Sequence, residues 1–153
     1  MEKSNQTPFS IKNILLTTLV AGTLDGLAAV VFLGKMNFLA VFQYIASAIF
    51  GKEAYSGGIK TALIGLVLHY IIAFSFTAFF AFISGKMALL RKNILLSALI
   101  YGIFVWAIMN LLIVPLTKIP SHPFNPEKAI LNAVILIFCI GLPIAYLTAR
   151  KKE

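Results

Sequence analysis

Residues 60–86 read KTALIGLVLHYIIAFSFTAFFAFISGK, and this stretch indicates which class of protein the chain belongs to. Between its two terminal lysines lie 25 residues (61–85) that include no Asp, Glu, Lys or Arg. About 20 mainly apolar residues are enough for an α-helix to cross a hydrocarbon core of about 30 Å. The stretch therefore predicts a transmembrane helix, with His69 inside it.

Three further apolar runs of similar length are also bounded by basic residues. One of them contains a single acidic residue, Asp25, and the other two contain no charged residue between their bounding side chains. We therefore predict an all-α, polytopic membrane protein, a four-transmembrane-helix bundle that forms a single domain over residues 1–153. The predicted spans are 12–34, 60–85, 93–115 and 128–149.

A fifth apolar segment lies between the first two predicted spans. From Met36 to Gly51 it has 16 residues, which would reach about 24 Å as a helix and would not cross the core. Gln43 and Ser47, four residues apart, place two polar side chains on one face. We predict a short interfacial or re-entrant helix over residues 37–50.

The composition agrees with this interpretation. The chain has 153 residues, of which 60% are hydrophobic and 12% charged, and its mean hydropathy is +0.95. Soluble domains carry about 45–50% apolar and about 25% charged residues, so a soluble enzyme and a disordered chain are excluded. The formal charge of +8 comes from residues between the spans, and no basic face lies outside the lipid. The predicted partner is therefore the lipid bilayer and not nucleic acid.

The distribution of basic residues predicts the orientation. With four spans, both termini and the 86–92 loop share one side, which carries eight Lys and Arg, whereas the other side carries five. The positive-inside rule then predicts that the N- and C-termini are cytoplasmic.

Asp25 and His69 are the most informative polar residues within the spans. Asp25 lies nine residues before Gly34, and His69 lies nine residues after Lys60, so each is about 14 Å below the outer surface. Small residues at four-residue spacing accompany both of them, which lets membrane helices approach closely. We predict that spans one and two form a tight hairpin with Asp25 near His69. The small residues assigned to helix packing are Gly22, Gly26, Gly65 and Ala73.

Two interpretations of the Asp25 and His69 pair remain open at this stage. The pair is either an interhelical hydrogen bond that sets the register of the two spans, or a proton-accepting pair. The first functional hypothesis follows from the second interpretation: a small solute or proton binds in, or moves through, an outward-facing cavity. The residues proposed to line it are Asp25, His69, Gln43 and Asn110.

The second functional hypothesis is a non-catalytic membrane component. It would form a homo-oligomer, or bind a partner, through its small-residue helix faces. An intramembrane enzyme ranks third, and no catalytic residue is predicted. No cofactor or metal site is predicted either, because Cys139 is the single cysteine, His69 is the one deep histidine, and no HExxH or glycine-rich phosphate loop occurs.

Several short motifs are spread along the chain between roughly residues 15 and 150. They are AGTLD at 21–25, QYIAS at 43–47, Gly51, SGG at 56–58, ALIGLVLHY at 62–70, Tyr101, Gly102, Met109, Asn110 and VPL at 114–116. In these motifs the chain resembles a family of small uncharacterised bacterial inner-membrane proteins with four predicted spans. The resemblance implies the same topology and a bacterial inner (plasma) membrane location, and it implies no reaction.

Overall fold

The computed structural model describes residues 10–87 and 89–149, and every regular element within them is helical. Four helices are long and apolar enough to cross a membrane, which confirms the predicted all-α bundle of an integral, multi-pass membrane protein. A fifth helix is short and lies between the first two spans. The helices are α1 (Ile11–Leu33), α2 (Phe38–Phe50), α3 (Gly58–Lys86), α4 (Ile94–Leu116) and α5 (Pro126–Ala149).

Two short elements complete the chain trace and define the two ends of the bundle. A 3-10 turn, Gly51–Ser56, joins α2 to α3, and a single helical turn, Leu89–Lys92, lies between α3 and α4. We call the end that carries α2 the outer end and the end that carries Leu89–Lys92 the inner end.

Asparagine side chains determine where three of the helices begin. The side-chain oxygens of Asn37, Asn93 and Asn125 accept hydrogen bonds of 3.0–3.1 Å from backbone N–H groups three residues later. Each bond satisfies one of the N–H groups that a helix start leaves unpaired. Pro126 then occupies the first position of α5, where its missing N–H costs nothing.

The short helix α2 packs closely against α3. A Cβ atom at Gly65 would overlap the carbonyl oxygen of Phe42, so the backbones of the two helices touch at this point. The 13 residues of α2 connect the outer ends of α1 and α3. The backbone N–H of Lys118 donates to the carbonyl of Ala48 over 3.1 Å, which ties the segment after α4 to α2 as well. The predicted short helix is therefore part of the bundle's outer end.

The apolar core lies in the middle and inner part of the bundle, where all four spanning helices meet. There α4 crosses α5 at two glycines. A Cβ atom at Gly102 would lie 2.5 Å from the Cα atom of Ile137, and one at Gly141 would overlap the carbonyl oxygen of Ala98. The buried members of the core are Ala21, Phe80, Ala98, Tyr101, Val105, Leu136, Ile140, Ile144 and Ala145.

Three of the spanning helices widen locally into π-helix, at Ala29–Leu33, Ile108–Ile113 and Ile137–Gly141. Such segments are uncommon and concentrate at functional sites. The third ends two residues before Pro143, which has no N–H to donate to the preceding turn. The irregular segment of α5 thus lies directly beside this proline.

Candidate functional site around Asp25 and His69

His69 is the central side chain of the contact between α1 and α3. It is 8% exposed, and its Nε2 atom lies 2.8 Å from the carbonyl oxygen of Gly22. Because a carbonyl oxygen only accepts hydrogen bonds, Nε2 carries a proton and donates it to Gly22. The second ring nitrogen, Nδ1, then determines whether the imidazole is neutral or cationic.

Two aromatic rings surround the imidazole. Phe42 of α2 and Tyr70 of α3 meet it edge-on, with ring centroids at 5.9 Å and 5.6 Å. On the α1 side, a Cβ atom at Gly26 would lie 3.3 Å from Nε2 and 3.6 Å from the Phe42 ring. Glycine at position 26 therefore makes room for the histidine side chain between the helices.

A second hydrogen bond joins the same two helices. The hydroxyl oxygens of Thr23 and Tyr70 lie 2.8 Å apart. Thr23 directly follows Gly22 in α1, and Tyr70 directly follows His69 in α3. The two hydrogen bonds therefore connect consecutive positions on both helices. Sequence reasoning did not identify this bond, although the position of Tyr70 directly after His69 was a usable signal.

Asp25 lies on α1 three residues beyond Gly22, and its side chain is half-buried. It is within electrostatic range of His69 and of Cys139 on α5. Among the residues that the structure describes, no hydrogen bond or ion pair reaches its carboxyl group. The Nε2 proton of His69 goes to the Gly22 carbonyl and not to Asp25. Asp25 and His69 are thus neighbours that are not bonded to each other.

The other two residues assigned to the cavity make separate backbone contacts. The Nε2 group of Gln43 donates to the carbonyl of Gly58 over 3.0 Å, which links α2 to the start of α3. The Nδ2 group of Asn110 donates to the carbonyl of Trp106 over 2.9 Å, within α4. The structure therefore joins neither side chain to Asp25 or His69 through a hydrogen bond.

The four small residues assigned to helix packing are buried inside the chain. A Cβ atom at Gly22 would lie 3.0 Å from the Tyr70 ring and 3.4 Å from the Cβ of Ala73, which places these three residues in the contact of α1 with α3. Gly65 instead contacts α2. The small residues of α3 therefore pack against two different helices, Gly65 against α2 and Ala73 against α1. The sequence analysis did not single out Gly102 and Gly141 for packing, although Ala98 and Gly102 in α4, and Gly141, Ala145 and Ala149 in α5, follow the same four-residue spacing.

Two buried polar atoms have no hydrogen-bond partner in the described part of the chain, the hydroxyl of Thr18 and the indole nitrogen of Trp106. Buried polar groups nearly always have a hydrogen-bond partner, so these two atoms are exceptions. The Trp106 nitrogen is a donor, and it lies one helical turn from Asn110 in α4. The described part of the membrane-spanning bundle therefore contains a hydroxyl group and an indole N–H without a hydrogen-bond partner, in addition to the unbonded carboxyl group of Asp25.

Comparison with known proteins adds no assignment. No protein-family model, curated protein or solved structure matches the chain. Within the described residues, no group of three or more His, Cys, Asp and Glu side chains is placed to hold a metal ion.

Proposed function

We propose that the protein binds a proton or a small cationic solute at Asp25, within its membrane-spanning bundle. The observation that supports the proposal is the half-buried carboxyl group of Asp25, which has no hydrogen bond or ion pair in the described part of the chain. A central Asp costs about 2.5–3.5 kcal/mol on insertion scales, and such residues ordinarily find a partner. A proton or a cation would supply the partner that the fold does not.

His69 is the residue that would adjust this site. Its Nε2 proton is committed to Gly22, so a second proton on Nδ1 would turn the ring into a cation within electrostatic range of Asp25. That charge would compete with a cation bound at the carboxylate. The Gly22 bond also holds the imidazole in one orientation. We therefore assign His69 a positioning and charge-regulating role, with Asp25 as the binding group.

The location of the site follows from the proposed orientation. We propose a bacterial inner membrane with both termini in the cytoplasm, on the count of basic residues and on the resemblance to bacterial inner-membrane proteins. The outer end of the bundle then faces away from the cytoplasm. Asp25 and His69 would receive their ligand from that side.

The alternative function, self-association or partner binding through small-residue faces, has less support from the geometry. Gly22, Gly26, Gly65 and Ala73 are all occupied by contacts within the chain. An assembly would have to use a different surface. This observation favours the binding site at Asp25 over the non-catalytic assembly role.

The test is infrared difference spectroscopy of the full-length protein in lipid, recorded while the pH is changed and while sodium or methylammonium is added. A carboxyl band that changes in the wild type and is missing from Asp25→Asn would identify Asp25 as the binding group. Glu53→Gln is the matched control, because Glu53 is an exposed acid at the outer end. The proposal is wrong if the Asp25→Asn variant shows the same changes as the wild type, or if neither protein responds.

Cys139 offers a second readout that needs no engineered label, since it is the single cysteine of the chain. Cys139 lies in the neighbouring span α5 within electrostatic range of Asp25, so its accessibility reports whether water enters this part of the bundle. A membrane-impermeant thiol reagent added from outside should modify Cys139 if a hydrated path leads to the site. Protection by methylammonium in the wild type, and no protection in Asp25→Asn, would show that the cation occupies that path.

A further inference from the structure

Among the residues that the structure describes, the inner end of the bundle carries several basic side chains and no acidic one. Lys86 ends α3, and Arg91 and Lys92 lie on the Leu89–Lys92 turn. Lys12 lies in the first turn of α1, at the same end. The acidic residues that the structure describes lie elsewhere: Asp25 is within a span, and Glu53 and Glu127 are at the outer end. The inner end therefore carries a positive charge that no described carboxylate compensates.

The turn that carries two of these charges is held in place. The buried hydroxyl of Ser97 donates to the carbonyl of Leu90 over 2.7 Å. The side chain of Asn93 caps the start of α4 directly after the turn. The turn also packs against the last part of α5. Arg91 and Lys92 are thus presented from a fixed backbone between three helix ends.

Lys86 lies at the edge of the apolar surface. Its Nζ atom is 4.3 Å from the centroid of the Phe82 ring, and Phe82 is 62% exposed on the outside of α3. Met87, Leu89 and Leu95 next to it are also exposed apolar side chains. A long basic side chain at such a border keeps its stem on the apolar surface and its charge at the level of the lipid headgroups.

We propose that Lys86, Arg91 and Lys92, together with Lys12 at the same end of the bundle, bind the phosphate group of an anionic phospholipid. The charges are complementary, and the apolar side chains beside them would contact the acyl chains. The guanidinium of Arg91 can donate two parallel hydrogen bonds to one phosphate, while the lysines act as point charges. This lipid site is separate from Asp25 and does not depend on the function proposed for it.

The test compares lipid retention by the full-length protein in detergent, using native mass spectrometry with phosphatidylglycerol or phosphatidylcholine. The variant K86Q/R91Q/K92Q removes three charges at the inner end, and K35Q/K52Q/K60Q removes three at the outer end. The wild type and the outer-end variant should retain phosphatidylglycerol in preference to phosphatidylcholine. The inner-end variant should lose that preference, with roughly a fivefold weakening for each charge removed.

Equal retention by the inner-end variant and the wild type would overturn the proposal, and so would an equal loss in both triple variants. Arg150, Lys151 and Lys152 stay unchanged in every variant. If lipid retention depends on these three residues alone, the inner-end variant will retain as much lipid as the wild type, and the proposal will be overturned. If the triple variant does not fold, Lys92→Gln alone should weaken retention, since Lys92 is exposed. Added salt should weaken retention by the wild type in parallel.

Discussion

Two helix crossings in this molecule use glycine for different purposes. Where α4 crosses α5, the glycines at 102 and 141 bring backbone against backbone, amid an apolar core. Where α1 crosses α3, Gly22 and Gly26 face side chains, and the space they leave admits the imidazole of His69. Both crossings are close, and the second contains two interhelical hydrogen bonds of side chains, from His69 to Gly22 and between Thr23 and Tyr70.

Because the glycines at the two crossings face different atoms, substitutions there are expected to affect different properties of the protein. At the α4 and α5 crossing, an added methyl group would meet backbone atoms that cannot rotate away. At the α1 and α3 crossing, it would meet the ends of side chains, which can shift by a few tenths of an ångström. We therefore expect substitutions at the first crossing to unfold the bundle, and substitutions at the second to disturb the polar site more than the fold.

The largest effect is expected from Gly141→Ala. Its Cβ would overlap the Ala98 carbonyl, and overpacking of this kind costs about 1–3 kcal/mol or more. The free energy of unfolding in lipid bicelles, measured by steric trapping, gives the value. Gly85→Ala is the matched control, since a Cβ there has no neighbour within 4 Å. If both variants are equally stable, the backbone contact of α4 with α5 is not as close as described.

The next largest change in the free energy of unfolding is expected to be an increase. Asp25→Leu removes an intramembrane carboxyl that has no partner in the described residues, so the variant should be more stable than the wild type, by up to about 2.5 kcal/mol. The same substitution should abolish the response of the site to protons and cations. A loss of stability in the same steric-trapping assay would mean that the carboxyl has a stabilising partner after all.

His69→Leu should lower the free energy of unfolding by about 0.6 kcal/mol, and by no more than about 1.7, the range of interhelical hydrogen bonds in membranes. Tyr70→Phe provides the comparison, because it removes the hydroxyl bonded to Thr23 and keeps the ring. The double variant should show whether the two bonds act together. An effect of His69→Leu as large as that of Gly141→Ala would remove the proposed distinction between the two crossings.

The smallest change in stability is expected for Gly26→Ala. The gain in helix propensity, about 1 kcal/mol, offsets the tight contact at 3.3 Å from the His69 Nε2 atom. The nitrogen NMR signals of the imidazole should nevertheless move, because the added methyl group pushes the ring away from Gly22. Unchanged imidazole signals would show that Gly26 does not shape the histidine site.

The sequence was sufficient for the four spans and the short helix between the first two. Length and hydrophobicity determine whether a helix can cross a bilayer, and both are local properties of the chain. The start of α5 is likewise a local feature, because Asn125 and Pro126 form its cap, two residues before the predicted start at 128. The bacterial inner-membrane location and the cytoplasmic termini, drawn from the family resemblance and from charge counting, stay predictions.

The candidate site was only partly visible in the sequence. Counting residues along a helix gives depth, and it placed Asp25 and His69 at similar depths. It does not tell which carbonyl a side chain reaches, so the bond from His69 to Gly22 was not foreseen. The same limit applies to Gln43 and Asn110. Both were expected to line a cavity with Asp25 and His69, but their hydrogen bonds go to Gly58 and Trp106.

The membrane bundle, and the position of Asp25 as the one acidic residue inside the predicted spans, follow from the sequence alone, because hydrophobicity and charge can be read position by position along the chain. The packing of the helices, in contrast, established that Asp25 has no hydrogen bond or ion pair among the described residues, that Gly65 contacts α2, and that Gly102 and Gly141 join α4 to α5. These are contacts between residues far apart in sequence, and they depend on how each helix is rotated about its axis.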